Sequence, residues 1–247
     1  MLTKNKSYKY VVLVGSTSDI GLAILKQLPY SNDAEILLVG REAPEDISVG
    51  NARVKIGFHK CDIEKFEDLQ RFASTLTSLS DIDLAIVAAG FLPSENEELD
   101  LRLVYKSMLT NTVGVISVLS SLTNRMHRQK QGHILHISTV ASMRPRSRNF
   151  TYGASKSSAD FYARGLSNKY KKSGLSISVC RPGYVHTRMS AGFKPAPFGT
   201  TISVVVNNCL KGINLKHSVT YSPRILGIVM KVLVVMPQRL FNYLDRK

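Results

Sequence analysis

Tyr152 and Lys156, in the stretch NFTYGASK, stand four residues apart. On a helix that spacing puts both side chains on one face, one turn from each other. A free tyrosine titrates near ~10, too high to exchange protons easily at neutral pH. A neighbouring ammonium favours the phenolate and is expected to lower that value. A phenol so placed can hand a proton to a carbonyl oxygen. The spacing alone is cheap, because Tyr243 and Lys247 repeat it. Context separates the two copies. Thirteen residues before Tyr152 stands Thr139, at the end of the strand-like run in HISTVAS, where its hydroxyl can orient the same carbonyl. Met230 holds that position before Tyr243. A shift of the turn by one residue would put Ser138 in the role of Thr139.

These groups need a scaffold, and the hydrophobic pattern describes one. Short apolar runs at 9–14, 35–39, 53–58, 84–89, 133–138, 175–180 and 218–222 alternate with helical patterns at 20–29, 64–79, 97–109, 112–130, 152–173 and 200–212. Strands that are apolar on nearly every residue suit a parallel sheet covered on both faces. Regular strand–helix alternation predicts right-handed crossovers and an α/β, doubly wound, Rossmann-like parallel sheet of about seven strands. One domain over 1–247 is the simplest partition, with 223–247 as an apolar and basic C-terminal extension.

The first strand runs into YVVLVGSTSDIGLAILKQL, residues 10–28. A sharp turn after a strand, opening a helix, aims backbone amides at a phosphate. Gly15 can make the turn and Gly21 permits close packing of helix on sheet; Ser16, Ser18, Asp19 and Ile20 fill the loop between. Asp19 stands where a glycine is expected, and its carboxylate is read as turned outward to cap the helix amides. The second strand ends in LLVGREA, with Arg41 where an acid would bind ribose hydroxyls. An arginine there suits a 2′-phosphate, which favours NADP(H) and leaves NAD(H) possible.

VGSTSDIG resembles the T-G-x-x-x-G-x-G loop of the short-chain dehydrogenase/reductase family, with Asp19 for the middle glycine and Val14 for the threonine. Further motifs follow in family order: KCDI with Asp62 and Ile63, VAAG with Ala89 and Gly90, TNTVG with Asn111, the Thr139/Tyr152/Lys156 set, and RPGYVHT with Pro182, Gly183, Val185 and Thr187. The resemblance implies reduction of a ketone by hydride from a nicotinamide, with Tyr152 as proton donor. It implies Asp62 against the adenine edge, Asn111 holding a relay water in a helix bend, Thr187 on the nicotinamide carboxamide, and a homodimer or homotetramer.

The stretches RSRNFTYGASKSSADFYARGLS and RPGYVHTRMSAGFKPAPF resemble a narrower branch, the keto-reductases of arabinan precursor synthesis. These complete a ribose-to-arabinose epimerisation on a polyprenylphosphoryl 2-keto-pentose, a cell-wall precursor. The likeness implies a lipid-linked keto-sugar substrate and a separate oxidising flavoenzyme as partner. Arg144, Arg146 and Arg148, between the catalytic strand and helix, are candidates for the substrate phosphate, as is Arg188 in the segment expected to form a substrate lid.

Composition agrees with a charged partner. Lys and Arg number 33 against 18 Asp and Glu, a formal net charge of +15. Such a surface attracts anions. Tryptophan is absent and no aromatics interleave the basic residues, so nucleic acid is not an expected partner. The three cysteines lack metal spacing and no metal is expected. No stretch reads as long enough to span a bilayer. The start carries no secretory pattern, and a cytoplasmic location is expected. The run ILGIVMKVLVVM with its basic tail suits either a peripheral membrane contact or a packed helix. The rival readings are a soluble carbonyl, ketoacyl or steroid reductase, and a non-catalytic nucleotide-binding regulator.

Overall fold

In β1 (Tyr8–Val14) alternate side chains serve opposite faces of the sheet. Val12 and Val14 pack into one apolar cluster with Phe72, Leu119 and Leu122, while Val11 and Leu13 join Ile24, Leu25, Val205 and Val206 in another. That two-sided burial is why the strand is apolar at nearly every position. The computed structural model describes residues 7–49, 53–94 and 99–245.

Six further strands follow: β2 (Tyr30–Gly40), β3 (Lys55–Lys60), β4 (Leu84–Val87), β5 (His133–Ile137), β6 (Ser176–Pro182) and β7 (Val219–Ser222). They form one parallel sheet in the order β3-β2-β1-β4-β5-β6-β7. This is the expected seven-strand doubly wound architecture. The chain winds outward from β1 to β3, then returns to start the other half at β4. The strand order therefore reverses between β1 and β4, and the strand ends diverge there to leave a crevice.

Helices α1 (Asp19–Leu25) and α6 (Ile202–Asn214) cover one face; α2 (Phe66–Ser78), α4 (Val115–Arg128) and α5 (Phe150–Lys169) cover the other. Helix α3 (Leu101–Met108) starts at Asp100, whose carboxylate accepts from the amides of Arg102 and Leu103. The expected start at 97 falls partly outside the described residues. A π-helical turn, Leu109–Gly114, joins α3 to α4, where the sequence pattern suggested two separate helices. By length and composition alone the continuous run 101–128 could cross a membrane, contrary to the reading of the sequence. In the fold Val115, Val118, Leu119, Leu122 and Met126 are buried in the core cluster under α4.

The apolar C-terminal run becomes α7 (Leu226–Val235), and α8 (Gln238–Asp245) follows Pro237. Lys247, the partner of Tyr243 in the second Tyr–Lys spacing, and the basic residues before position 7 lie outside the described residues.

Candidate active site

A crevice of about 920 Å³ opens above the β1–β4 boundary. Its wall begins at the glycine loop. Gly15 adopts φ +97°, and a Cβ there would stand 2.7 Å from the Ala89 amide nitrogen. Only glycine tolerates both the backbone conformation and the approach of β1 to β4. Gly21 lies outside the crevice and packs on Leu13, where a Cβ would meet the side chain at 2.7 Å. The Ser16 hydroxyl donates to the Glu42 carbonyl at 2.6 Å. Gly40 makes room for that bond, since a Cβ on it would collide with Ser16 Oγ. The loop is thereby tied to the turn that carries Arg41, which is exposed at the crevice edge.

Asp19 does turn aside, but it does not cap the helix. Ser18 is the cap, its hydroxyl accepting from the Gly21 amide at 3.2 Å. The Asp19 carboxylate instead accepts from Arg188, at 2.8 Å from the backbone amide and 2.7 Å from Nε. A capping hydroxyl one residue earlier left the carboxylate free for a partner 169 residues away.

Asp62, Ile63, Ala89, Gly90, Pro182, Gly183, Val185 and Thr187 all line the same crevice, as do Ser18, Asp19 and Ile20. Asp62 accepts from the Glu64 amide at 3.1 Å, which shapes the turn after β3. The amide of Thr187 donates to Ser190 Oγ at 3.0 Å, which starts the short 3₁₀ turn Arg188–Ser190.

Thr139, Tyr152 and Lys156 share the crevice floor. Thr139 follows β5 and its hydroxyl accepts from the Ala141 amide at 3.2 Å. Ser138 also lines the crevice, but its hydroxyl donates to the Asp160 carboxylate at 2.8 Å. Lys156 Nζ donates to the carbonyl of Ile137 at 3.2 Å and lies 3.5 Å from that of Ala89. Asn111 lies behind the crevice rather than in it. Its amide is spent on the backbone of Phe91, donating to the carbonyl and accepting from the nitrogen, each at 2.7 Å, and on Ser155 Oγ at 2.9 Å. Gly90 admits both groups, since a Cβ would stand 3.1 Å from Lys156 Nζ and 3.3 Å from Asn111 Oδ1.

The electrostatics differ from the expectation. Burial raises the pKa of Tyr152 above its ordinary value instead of lowering it. Burial also lowers Lys156 to about 8, with Asp160 opposing. Desolvation penalises the charged form of both groups and is the largest cause of each shift. The phenol is therefore protonated at neutral pH, the form a proton donor needs.

Sequence reasoning missed the cluster beneath. Asp160, one turn beyond Lys156, accepts from Arg181 Nε at 2.9 Å and Nη2 at 2.6 Å, and from Arg164 Nε at 3.0 Å. Burial opposes its ionisation, but the hydrogen bonds and charge of Arg181, with Ser138 and Arg164, hold its pKa below the carboxylate norm. His136 on β5 is driven down to about 3 by burial and then by Lys156, and is neutral. The four-residue step from Lys156 to Asp160 was visible in ASKSSAD; its pairing with β6 was not.

The arginines divide. Arg146 and Arg148 are exposed and line the crevice. Arg144 is not a crevice residue. It is buried, and Nη1 donates to the carbonyls of Leu233, Val234 and Met236 at the end of α7; Nη2 donates to Gln238 Oε1 at 3.0 Å. Its guanidinium also stacks 4.2 Å from the Phe241 ring. Orphan carbonyls at a helix end attract a cation, and the fork satisfies several at once. Arg188, also read as a substrate ligand, is the partner of Asp19. The far wall is apolar, built by Val229, Met230, Leu233, Phe241 and Leu244 of the two C-terminal helices.

Comparisons with known proteins agree with this geometry. The chain is 26% identical over 243 residues to an uncharacterized oxidoreductase of Mycobacterium tuberculosis, covering 96% of this chain and 97% of that protein. It is 25% identical over 198 residues to carbonyl reductase family member 4 of Xenopus tropicalis, covering 75% of this chain and 79% of that one. The crystal structure of a short chain dehydrogenase from Burkholderia cenocepacia in complex with NADP superposes with a TM-score of 0.81 at 18% identity, over 96% of this chain and 98% of the other. Residues 9–197 match the family model described as short chain dehydrogenase. The chain therefore belongs to the short-chain dehydrogenase family and is an NAD(P)-dependent oxidoreductase.

Proposed function

We propose that the protein reduces a ketone to a secondary alcohol with NADPH as the hydride source. The observation that carries this reading is the meeting of Thr139, Tyr152 and Lys156 on the floor of the crevice whose wall is the glycine loop. The residues fit the cofactor: the backbone cradle at Gly15 excludes any side chain, and Arg41 stands at the end of β2 for a 2′-phosphate. The Burkholderia relative holding NADP supports the phosphorylated form.

When bound, the cofactor supplies hydride to the carbonyl carbon. Thr139 donates a hydrogen bond to the carbonyl oxygen and orients it. Tyr152 gives that oxygen a proton, and the Lys156 ammonium stabilises the phenolate left behind. Asn111, through Phe91 and Ser155, fixes the backbone beside Lys156. Asp62 and Ile63 flank the adenine, and Thr187 holds the nicotinamide end.

The substrate we favour is an amphiphilic ketone with an anionic group, of which a polyprenylphosphoryl 2-keto-pentose is the specific case. Arg146 and Arg148 at the crevice and the apolar wall of α7 and α8 support it. A separate flavoenzyme would make that ketone by oxidation. Exposed Ile228, Val232 and Val235, with Arg224, Lys231 and Arg239 among them, suit contact with an anionic membrane surface. Exposed Tyr105, Val113 and Phe161 on the α3–α5 side suit self-association.

The experiment offers purified protein the lipid-linked 2-keto-pentose and a panel of water-soluble ketones, each with NADPH and with NADH, beside Tyr152→Phe. Turnover of the lipid-linked ketone with NADPH, falling by about 10²–10⁴ in the variant while NADPH still binds, is expected. Turnover of soluble ketones alone would move the assignment to a carbonyl reductase, and equal rates in both proteins would remove Tyr152 as the donor.

A further inference from the structure

The loop that faces the cofactor carries a carboxylate, and the protein neutralises it from across the crevice. Asp19 opens α1; Arg188 follows β6, on the opposite lip of the same crevice. Three contacts join Arg188 to the glycine loop, two of them to Asp19. The Arg188 amide reaches Asp19 Oδ2 at 2.8 Å, its Nε reaches Asp19 Oδ1 at 2.7 Å, and its Nη2 donates to the Thr17 carbonyl in the glycine loop. Nη1 has no hydrogen-bond partner among the described residues. Asp19 is 21% exposed at its side chain and Arg188 71%. A lone exposed ion pair adds little to fold stability. This one combines a side-chain fork with a backbone bond, so it fixes the segment 187–190 and not merely one flexible side chain. The lip it fixes is itself ordered by Ser190, whose hydroxyl accepts from the Thr187 amide and donates to the Val185 carbonyl at 2.5 Å.

We propose that Asp19 and Arg188 form a cofactor clasp. Asp19 is a positioning residue that holds the Arg188 guanidinium at the crevice mouth, and Arg188 closes the segment after β6 over the bound cofactor's diphosphate. The inference rests on the NADPH reading above. The clasp governs exchange: a dinucleotide enters and leaves only when the pair parts. Nη1 supplies an N–H for a diphosphate oxygen, and the positive charge offsets the repulsion that a carboxylate in this loop would otherwise exert.

The prediction is opposite in sign to simple repulsion. If Asp19 acted only as a nearby negative charge, Asp19→Asn would tighten NADPH and slow its release. If it holds the clasp, the same substitution speeds release. Stopped-flow NADPH fluorescence on the full chain, for wild type, Asp19→Asn, Arg188→Ala and the double variant, separates the two. The clasp predicts release about tenfold faster in each single variant and no further gain in the double. Arg188→Lys keeps the charge without the fork and is expected to recover less than half of the lost retention. Slower release in Asp19→Asn, or additive effects in the double variant, would overturn the clasp.

Hydrogen exchange on the free proteins gives a second reading that needs no cofactor. Amides of 185–190 should exchange faster in Asp19→Asn than in wild type, and unchanged exchange also overturns the clasp. A wild type that binds neither NADPH nor NADH, yet shows this exchange difference, would sink the cofactor reading and the diphosphate role while leaving the Asp19–Arg188 contact established.

Discussion

Asp160 and Arg181 meet in a two-point ion pair between α5 and β6, with each side chain less than a tenth exposed. The pair underlies the crevice floor: Asp160 also holds Ser138, and Arg181 donates to the Tyr221 hydroxyl at 2.9 Å on β7. Arg181→Met would leave Asp160 charged and short of its main partner. A loss of about 3–5 kcal/mol at pH 7 is expected from urea unfolding. The carboxyl pKa would then rise, so acid should protonate it and shrink the loss below about pH 5. In the wild type the sign is reversed. The depressed Asp160 contributes stability above the ordinary carboxylate range and loses it as pH falls through its folded pKa. Asp160→Leu combined with Arg181→Met should recover most of the deficit; a double variant as unstable as the single one would contradict this account.

Lys156 carries the opposite linkage. Its folded pKa of about 8 lies below the ordinary 10.5, so between those values the unfolded chain holds a proton that the folded chain has released. Stability should therefore rise with pH across that window, by up to about 3 kcal/mol, as the buried ammonium is neutralised. Lys156→Met removes the titrating group, and its stability should lack that rise. Urea midpoints at pH 7.5, 8.5 and 9.5 test it; parallel trends in the two proteins would refute it. Reduction should decline above about pH 8, where the ammonium that stabilises the phenolate is lost, and Lys156→Arg should move that limb upward.

Arg144 joins the loop after Thr139 to the end of α7 and to α8. Removing it strands part-buried carbonyls and forfeits the stack on Phe241. Arg144→Ala is expected to cost about 2–4 kcal/mol and to raise hydrogen exchange across 226–245. Because α7 and α8 wall the crevice far from the glycine loop, KM for the ketone should rise several-fold while NADPH affinity holds. A KM unchanged with exchange increased would detach these helices from substrate binding.

The strand–helix alternation, the glycine at 15 and the Tyr–Lys step were all readable along the chain, because each depends on neighbours within a turn or on a local burial period. So was the position of Arg41 at a strand end. Long-range partners were not readable. Asp19 was expected to serve its own helix, yet Ser18 already fills that role and the carboxylate bonds to Arg188. Arg144, Arg146 and Arg148 look alike in RPRSR; packing buries the first as a helix cap and leaves the other two at the crevice. Ser138 and Thr139 are adjacent hydroxyls that both line the crevice, and only the fold gives Ser138 the Asp160 carboxylate as its partner and Thr139 the Ala141 amide. The tyrosine pKa marks the same boundary. Spacing announces the ammonium beside it, but desolvation depends on how much of the surrounding chain closes over both groups, and that is a property of the folded whole.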